Sequence, residues 1–290
     1  MAAVLEVVDS GPLSTVQDLG RPGYADIGVT ASGAADRASL KLANHLVGNS
    51  AGAAAIEVTF GGFAARASRD LVVAVTGAPS PITVGRTSAP MNSPLRIPAG
   101  TEFRLGWPAT GLRSYVAVQG GVTVEPVLGS RATDLLTGLG PDPLRRGMVL
   151  PLGDPVRPAA PHGEAPVCAP PSDELTLRMI PGPRDDWFAE SASRTLLSQP
   201  YVVTSESNRI GIRLDGPVLP RAQQGELVSE GIVAGALQVP PSGRPTLFLA
   251  DHPVTGGYPV IAVVVTEDVD KAAQARPGMR MRFTLADVPA

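Results

Sequence analysis

The sequence predicts a mainly β protein built in two parts, and three observations predict it. Short apolar runs recur at spacings of about ten residues, punctuated by glycine and proline, of which the 290-residue chain holds 32 and 30. Helical periodicity is confined to a few short segments. A stretch at 155–173, with prolines at 155, 158, 161, 166, 170 and 171, can neither pair in a sheet nor form a helix. The expected organisation is an N-terminal β domain over 1–154, a proline-rich linker or crossover over 155–173, and a C-terminal β domain over 174–290.

In chain order, residues 4–8 read as a strand ended by the Gly11-Pro12 turn. Gly20, Pro22, Gly23 and Gly28 then break the chain into tight turns. A helix of about four turns is expected next, with Ser32 as N-cap, Asp36 in its first turn, an apolar face of Leu40, Ala43, Leu46 and Val47, and Gly48 as terminator. A strand follows and ends in Gly61-Gly62. Residues 71–76, LVVAVT, form a continuous apolar run suited to a buried strand, and short strands follow at 82–84, 95–97, 102–107 and 113–118. Residues 130–136 read as a helical turn capped by Ser130 with Asp134 on its exposed side. Paired glycines at 61–62, 120–121 and 256–257 hint at related hairpins in both halves.

The second half opens with a strand at 175–180. A helix started by Pro183, with Asp185 and Asp186 in its first turn, carries apolar Trp187, Phe188 and Leu196. The strand-like segment 204–215 follows, and Pro240-Pro241-Ser242-Gly243 makes a turn between later strands. The chain closes with a capped helix over 266–275, stopped by Pro277-Gly278, and a last strand at 280–285.

Composition excludes several functions. With 43% hydrophobic residues the chain can bury sizeable cores, but it has no run of 18 apolar residues. Acidic Glu6 and Asp9 stand where a signal peptide would be basic, so a cytoplasmic location is expected. The net charge of −3 without a basic run argues against nucleic acid and anionic membranes as partners. Cys168 is the single cysteine, which rules out an intrachain disulfide and a cysteine-rich zinc site; no metal site or catalytic thiol is expected. Only Lys41 and Lys271 are lysines; neither has a biotin-acceptor context, and no P-loop occurs, so phosphate would have to be bound by arginine and backbone.

Polar residues are left over where turns and caps do not require them. Gln17, Asp18, Arg21, Tyr24, Ser32, Asp36 and Asn44 cluster in sequence around the expected helix start, where free N–H groups and the dipole would attract an anion or an amide. Capping by Ser32 and Asp36, with Arg21 solvated, is the alternative. Arg209 and Arg213, placed to share one strand face, would suit a carboxylate or phosphate or, equally, two cross-sheet ion pairs. The Thr255-Gly256-Gly257-Tyr258 turn offers backbone N–H groups to an oxyanion. His252 has a reference pKa near neutrality and is a candidate base, although a histidine before proline in a turn more often has a structural role.

Several of these stretches are motifs. S-T-V-Q-D-x-G-R-x-G-Y at 14–24, S-G-A-x-D at 32–36, A-N-x-L-V-G-N at 43–49 and E-V-T-x-G-G at 57–62 resemble the opening signature of the allophanate hydrolase subunit 2 family, whose members are also called KipA-like proteins or C subunits of 5-oxoprolinase. L-G-S-R-x-T at 128–133, Ser207, Asn208, Arg209, Gly211 and Arg213 within 204–215, S-E-G at 229–231, Q-V-P-P-x-G-x-P at 238–245 and T-G-G-Y-P at 255–259 continue it. The chain departs from the pattern at His252, Pro253 and Val254, where Arg, Gln and Thr are expected, which removes a cation.

The resemblance implies two cyclophilin-like β-barrel domains and a role as the C subunit of an ATP-dependent 5-oxoprolinase, with ATP bound by the complex and no covalent biotin on this chain. It implies two partners: a B component of the allophanate hydrolase subunit 1 or KipI-like type, and an A component of the LamB/YcsF-like type. Asp251, Tyr258 and Glu230 are the implied catalytic residues. Gln17, Arg21, Ser32, Asp36, Asn44, Arg209, Arg213, Gln238, Thr255, Gly256 and Gly257 are the implied substrate contacts, and Arg131 either faces an anion or, equally, is a surface arginine near a helix start. A biotin-dependent urea or amide carboxyltransferase and a non-catalytic KipA-like regulator of a kinase inhibitor are the alternatives.

Overall fold

The computed structural model describes residues 3–159, 164–223, 225 and 227–287. The protein is mainly β and divides into two compact units. One comprises Met1–Arg21, Ser32–Asp134 and Gly138–Pro170; the other comprises Pro22–Ala31, Leu135–Thr137 and Pro171–Ala290.

The first unit contains β1 (Val4–Ser10), β2 (Leu13–Gln17), helix α1 (Arg37–Leu46), β3 (Ala55–Thr59), β4 (Phe63–Ala67), β5 (Leu71–Gly77), β6 (Ile82–Val84), β7 (Thr87–Ala89), β8 (Leu95–Ile97), β9 (Glu102–Leu105), β10 (Arg113–Val118) and β11 (Val149–Pro151). These strands form a six-stranded sheet, β11-β1-β4-β9-β6-β7, and a five-stranded sheet, β2-β3-β10-β5-β8. Side chains of both sheets meet in one core, and strand alternation decides which ones. Val73 and Val75 of β5 and Val116 and Val118 of β10 enter that core, whereas Ala74, Tyr115 and Ala117 point to the opposite face, against Leu40, Ala43 and Leu46 of α1. Burial on both faces is why LVVAVT reads as an unbroken apolar run.

Two expectations here need correction. Helix α1 spans ten residues, just under three turns, and its N-cap is Asp36, whose Oδ1 accepts from Ser39 N at 2.9 Å. Ser32 lies four residues earlier, at φ 52°. Residues 130–136 form no helix: Ser130 is bridged to Val127, and Asp134 is buried rather than exposed. Gly61 has φ 86°, and a Cβ there would stand 2.2 Å from Gly106 O, so the paired glycines serve a close backbone approach.

Of the proline-rich stretch, residues 160–163, and His162 with them, lie outside the described residues. The rest has no helix or strand up to Ser172. It is tied to the first unit where Gln119 Nε2 donates to Arg157 O at 3.0 Å and Ala165 N to Asn92 O at 2.8 Å.

The second unit contains β12 (Glu174–Pro181), α2 (Glu190–Ser198), β13 (Tyr201–Val203), β14 (Gly211–Asp215), β15 (Glu230–Gly231), β16 (Ala236–Gln238), β17 (Thr246–Phe248), β18 (Thr255–Gly256), β19 (Val260–Val264), α3 (Thr266–Ala272) and β20 (Arg280–Leu285). Seven strands close a barrel in the order β12-β19-β16-β17-β14-β13-β20, with β20 returning parallel to β12; β15 and β18 pair separately. The expected long helix after Pro183 is split: a 3-10 turn covers Asp185–Trp187, Phe188 is extended, and α2 starts at Glu190. Phe188 bridges Arg221 and buries its ring in the barrel core, and those contacts outweigh continuing the helix. Helix α3 follows Val265, which gives it no side-chain cap. No helix among the described residues is long and apolar enough to cross a membrane.

Candidate functional site

In the first unit the loop after β2 is built around Asp18. Its Oδ1 accepts from Gly20 N at 2.8 Å and Ser130 Oγ at 2.6 Å, and its Oδ2 from Arg131 N at 2.7 Å. The carboxylate thereby pins 18–20 against 130–131 with charge-assisted bonds. Gln17, buried at the end of β2, donates from Nε2 to Thr133 O at 2.9 Å and to Thr15 Oγ1 at 3.0 Å. Arg21, only 1% exposed, donates from Nη2 to Ala132 O and from Nε to Val127 O at 3.4 Å. Ser32 Oγ donates to Thr133 O at 3.4 Å. Gln17, Arg21 and Ser32 therefore converge on the strip Ala132–Thr133.

The start of α1 is occupied by the chain's own groups. Ala35 N donates to Glu57 Oε2 at 3.0 Å, Asp36 N to the Tyr115 hydroxyl at 2.7 Å, and that hydroxyl to Glu57 Oε2 at 2.7 Å. Burial, reinforced by the charges of Glu57 and Asp36, raises the Tyr115 pKa well above its usual 10.0, so the phenol stays neutral. The expected open anion site at this helix end is corrected: Glu57, Tyr115 and the Asp36 cap take up the donors. Asn44 is a brace. Its Nδ2 donates to Ala53 O at 2.8 Å and its Oδ1 accepts from Asn49 Nδ2, which also donates to Val118 O at 2.8 Å. Arg131 Nε donates to Val124 O at 2.7 Å, which ties it to a backbone carbonyl.

In the second unit a cleft of about 250 Å³ lies over β14, β16 and β17, lined by Asn208, Arg213, Gln238, Thr246, Phe248 and Tyr258 among others. It unites three expected residues, Arg213, Gln238 and Tyr258. Arg213 is exposed and pairs with Glu206 at 3.6 Å. Gln238 Nε2 donates to Tyr258 O at 2.9 Å, and a Cβ on Gly256 would lie 2.6 Å from that nitrogen, so only glycine leaves the amide in place. The guanidinium of Arg221 stands 6.0 Å from the centre of the half-exposed Tyr258 ring. The cleft thus combines a cation, an amide, a phenol and an aromatic wall, a set that can orient a small polar ring or acid.

Arg209 and Arg213 do not share a face. Arg209 precedes β14 and is 1% exposed, and it grips Asp251 through Nε–Oδ2 and Nη2–Oδ1 bonds of 2.9 Å each. Asp251 Oδ2 also accepts from Leu135 N at 3.1 Å. A carboxylate so held has no room to shuttle protons; it fixes the guanidinium. Glu230 accepts from Arg184, with Nε–O distances of 2.9 and 3.0 Å, and this partner holds its carboxyl below the usual carboxylate range, the opposite of what a general base at neutral pH needs. Thr255 and Gly256 form β18, whose register places them opposite Gly231 and Glu230. The expected Thr-Gly-Gly oxyanion turn is corrected to a short ladder, with Gly257 beside Leu227 O. His252 Nδ1 is 2.8 Å from Pro253 O, and its ring stands beside Phe248.

Glu57, Tyr115, Thr133, Arg184, Arg221, Thr246 and Phe248 do work that sequence reasoning did not assign. Glu57 and Thr133 lie inside quoted motifs and were within reach. Tyr115 and Phe248 look like ordinary strand residues until pairing sets the face they occupy.

Comparison with known proteins places the chain in a family. The chain is 36% identical over 283 residues to the C subunit of 5-oxoprolinase from Escherichia coli, 97% of this chain and 90% of the relative. It is 32% identical over 286 residues to the protein of the same name from Haemophilus influenzae, again covering 97% and 90%. Among solved structures, TTHA0988 superposes with a TM-score of 0.89 at 38% identity, over 98% of this chain and 55% of that one. The K. lactis urea amidolyase superposes with a TM-score of 0.91 at 27% identity, over 98% of this chain and 19% of that one. This chain therefore spans about half of TTHA0988 and under a fifth of the amidolyase. The family model "Carboxyltransferase domain, subdomain A and B" matches residues 27–285, and the chain belongs to that carboxyltransferase-domain family.

Proposed function

We propose that this chain is the C subunit of an ATP-dependent 5-oxoprolinase, working with a B component of the allophanate hydrolase subunit 1 or KipI-like type and a LamB/YcsF-like A component. The observation that carries the reading is the match to two proteins of that name, across 97% of this chain and 90% of theirs.

The chemistry sets the demands. Amide resonance protects the lactam carbonyl from water. Transfer of the ATP γ-phosphoryl to the lactam oxygen, with ADP leaving, makes the ring carbon electrophilic. One water then adds and the C–N bond breaks, the nitrogen taking a proton, to leave an acyl phosphate. A second water releases phosphate and glutamate. The protein must hold the substrate carboxylate and stabilise phosphoryl charge. In this reading Arg213 of the second-unit cleft takes the carboxylate, and Gln238 and Tyr258 the ring amide. Arg209 and Asp251 act as a positioning pair at the entry to β14, and the complex supplies the ATP site. Co-expression with the two partner components, followed by an assay for glutamate release dependent on ATP and 5-oxoproline, tests this. Release that falls in Arg213→Gln supports the reading, and no release from the assembled complex removes it.

A second reading, carboxyl transfer to urea or a related amide with biotin carried on another chain, is favoured by the family model's description and by the superposition on K. lactis urea carboxylase at a TM-score of 0.87. Carboxylation of urea by the chain with a biotin-bearing partner would select it.

A further inference from the structure

Three buried side chains of the first unit end in polar atoms without a partner: Nη1 of Arg21, Oε1 of Gln17 and Oγ1 of Thr133. Their residues are 1%, 0% and 2% exposed. They hang from one short piece of backbone, since Arg21 Nη2 bonds Ala132 O and Gln17 Nε2 bonds Thr133 O. The latter bond also fixes the Gln17 amide, because a flipped amide would set oxygen against a carbonyl.

Arg21 has no carboxylate partner among the described residues. The nearby Asp18 spends its oxygens on Gly20, Ser130 and Arg131. A guanidinium cannot shed its charge, so two carbonyls alone leave a cation buried and uncompensated. Such a group calls for an anion. The other orphans define what that anion carries: the Thr133 hydroxyl can donate to a second oxygen, whereas Gln17 Oε1 needs a hydrogen from the ligand.

We propose that Arg21, Thr133 and Gln17 form a binding site for a small oxyanion that carries a proton donor beside its charge. The carboxylate and ring N–H of 5-oxoproline have this chemistry, which would make this a second binding site besides the Arg213 cleft, and so does hydrogencarbonate. The 5-oxoproline assignment rests on the function proposed above; the site itself does not.

The test is titration calorimetry on the full chain with 5-oxoproline, hydrogencarbonate and analogues that delete one feature. These are 2-pyrrolidinone, which lacks the carboxylate; 5-oxotetrahydrofuran-2-carboxylate, in which ring oxygen replaces N–H; and acetate, which lacks the donor. The site predicts that 5-oxoproline or hydrogencarbonate binds at least about tenfold tighter than its truncated analogues. Thr133→Val, which keeps shape and removes an orphan hydroxyl, should weaken binding by about tenfold while the melting temperature holds or rises. With Arg213→Gln in the background to silence the second-unit cleft, Arg21→Gln should abolish binding, and Arg21→Lys should restore part of it. Binding of hydrogencarbonate alone upholds the site and turns it toward carboxyl transfer. Failure of both ligands to bind, or binding unchanged in Thr133→Val and Arg21→Gln, overturns the site. Glutamate release by the complex alongside that failure leaves the proposed function standing.

Discussion

Arg209 and Asp251 clasp each other through two hydrogen bonds of 2.9 Å, with both side chains closed off from solvent. Two resemblance-implied site residues, one expected to bind substrate and the other to perform acid–base chemistry, are thus each other's partner. Removing either strands a buried charge, which costs about 3–5 kcal/mol, whereas replacing both with apolar residues of similar volume restores much of the loss. Urea unfolding of Asp251→Leu, Arg209→Met and the double variant should show this non-additivity. Unchanged 5-oxoproline turnover in a folded Arg209→Ala complex would take Arg209 out of the functional set.

Tyr115 links the first turn of α1 to Glu57. Tyr115→Phe keeps the ring packed against Ala74 and Leu40 but deprives Asp36 N and Glu57 Oε2 of their shared partner. The expected loss is about 1–3 kcal/mol, read by urea unfolding, with hydrogen exchange at Asp36 accelerated relative to the middle of β5.

Tyr201 presents the opposite case. Its hydroxyl is buried without a partner, and burial pushes its pKa up to about 12. The neutral phenol is the form the fold accepts, so this group's contribution is intact below the unfolded value near 10 and lost as pH rises from about 10 to about 12. Tyr201→Phe should equal or exceed the parent in stability at pH 7. Melting curves from pH 9 to 11.5 should show a shallower alkaline decline for the variant.

Asp268 titrates at the other end. Burial alone would raise its pKa, but hydrogen bonds from Arg178 and Lys271 outweigh it and hold the carboxyl well below the usual range. The folded value is depressed, so its contribution is present above about pH 4 and lost as pH falls through the folded value. Asp268→Asn should be less stable than the parent at pH 7, with the difference shrinking progressively below about pH 4 in circular-dichroism melts.

Gly256 bears on the cleft through Gln238, whose amide lies against it. Gly256→Ala forces the Gln238 amide away from Tyr258 O, whereas Arg213→Gln removes only an exposed ion pair of small energetic value. In the reconstituted complex Arg213→Gln should raise KM for 5-oxoproline at near-constant melting temperature. Gly256→Ala should reduce kcat/KM by about tenfold or more.

Local signals carried much of this structure. The strands at 82–84, 95–97 and 113–118 lie where short apolar runs bounded by glycine and proline put them, because strand propensity and turn chemistry are local signals. The cap of α1 went to Asp36 over Ser32, since chain direction at Gly33, whose Cβ would meet Gly20 N at 2.7 Å, is fixed by a loop far from the helical pattern. The candidate sites were half legible. The family resemblance singled out Gln17, Arg21 and Gln238, but the partners that decide their roles can be distant, as Thr133 is for Gln17, 116 positions away. Periodicity holds no information at that range.

The barrel of the second unit is sealed by β12 and β20, whose register sets Glu174 against Arg280. A chain emerging from the ribosome makes the first of these strands long before the last, so the seam stays open until synthesis has passed Leu285. In that interval β12 offers an unpaired edge and the barrel interior is wet. Expression at low temperature, or with chaperones that shield nascent chains, should therefore raise the soluble yield, and shortening the chain within β20 should abolish it.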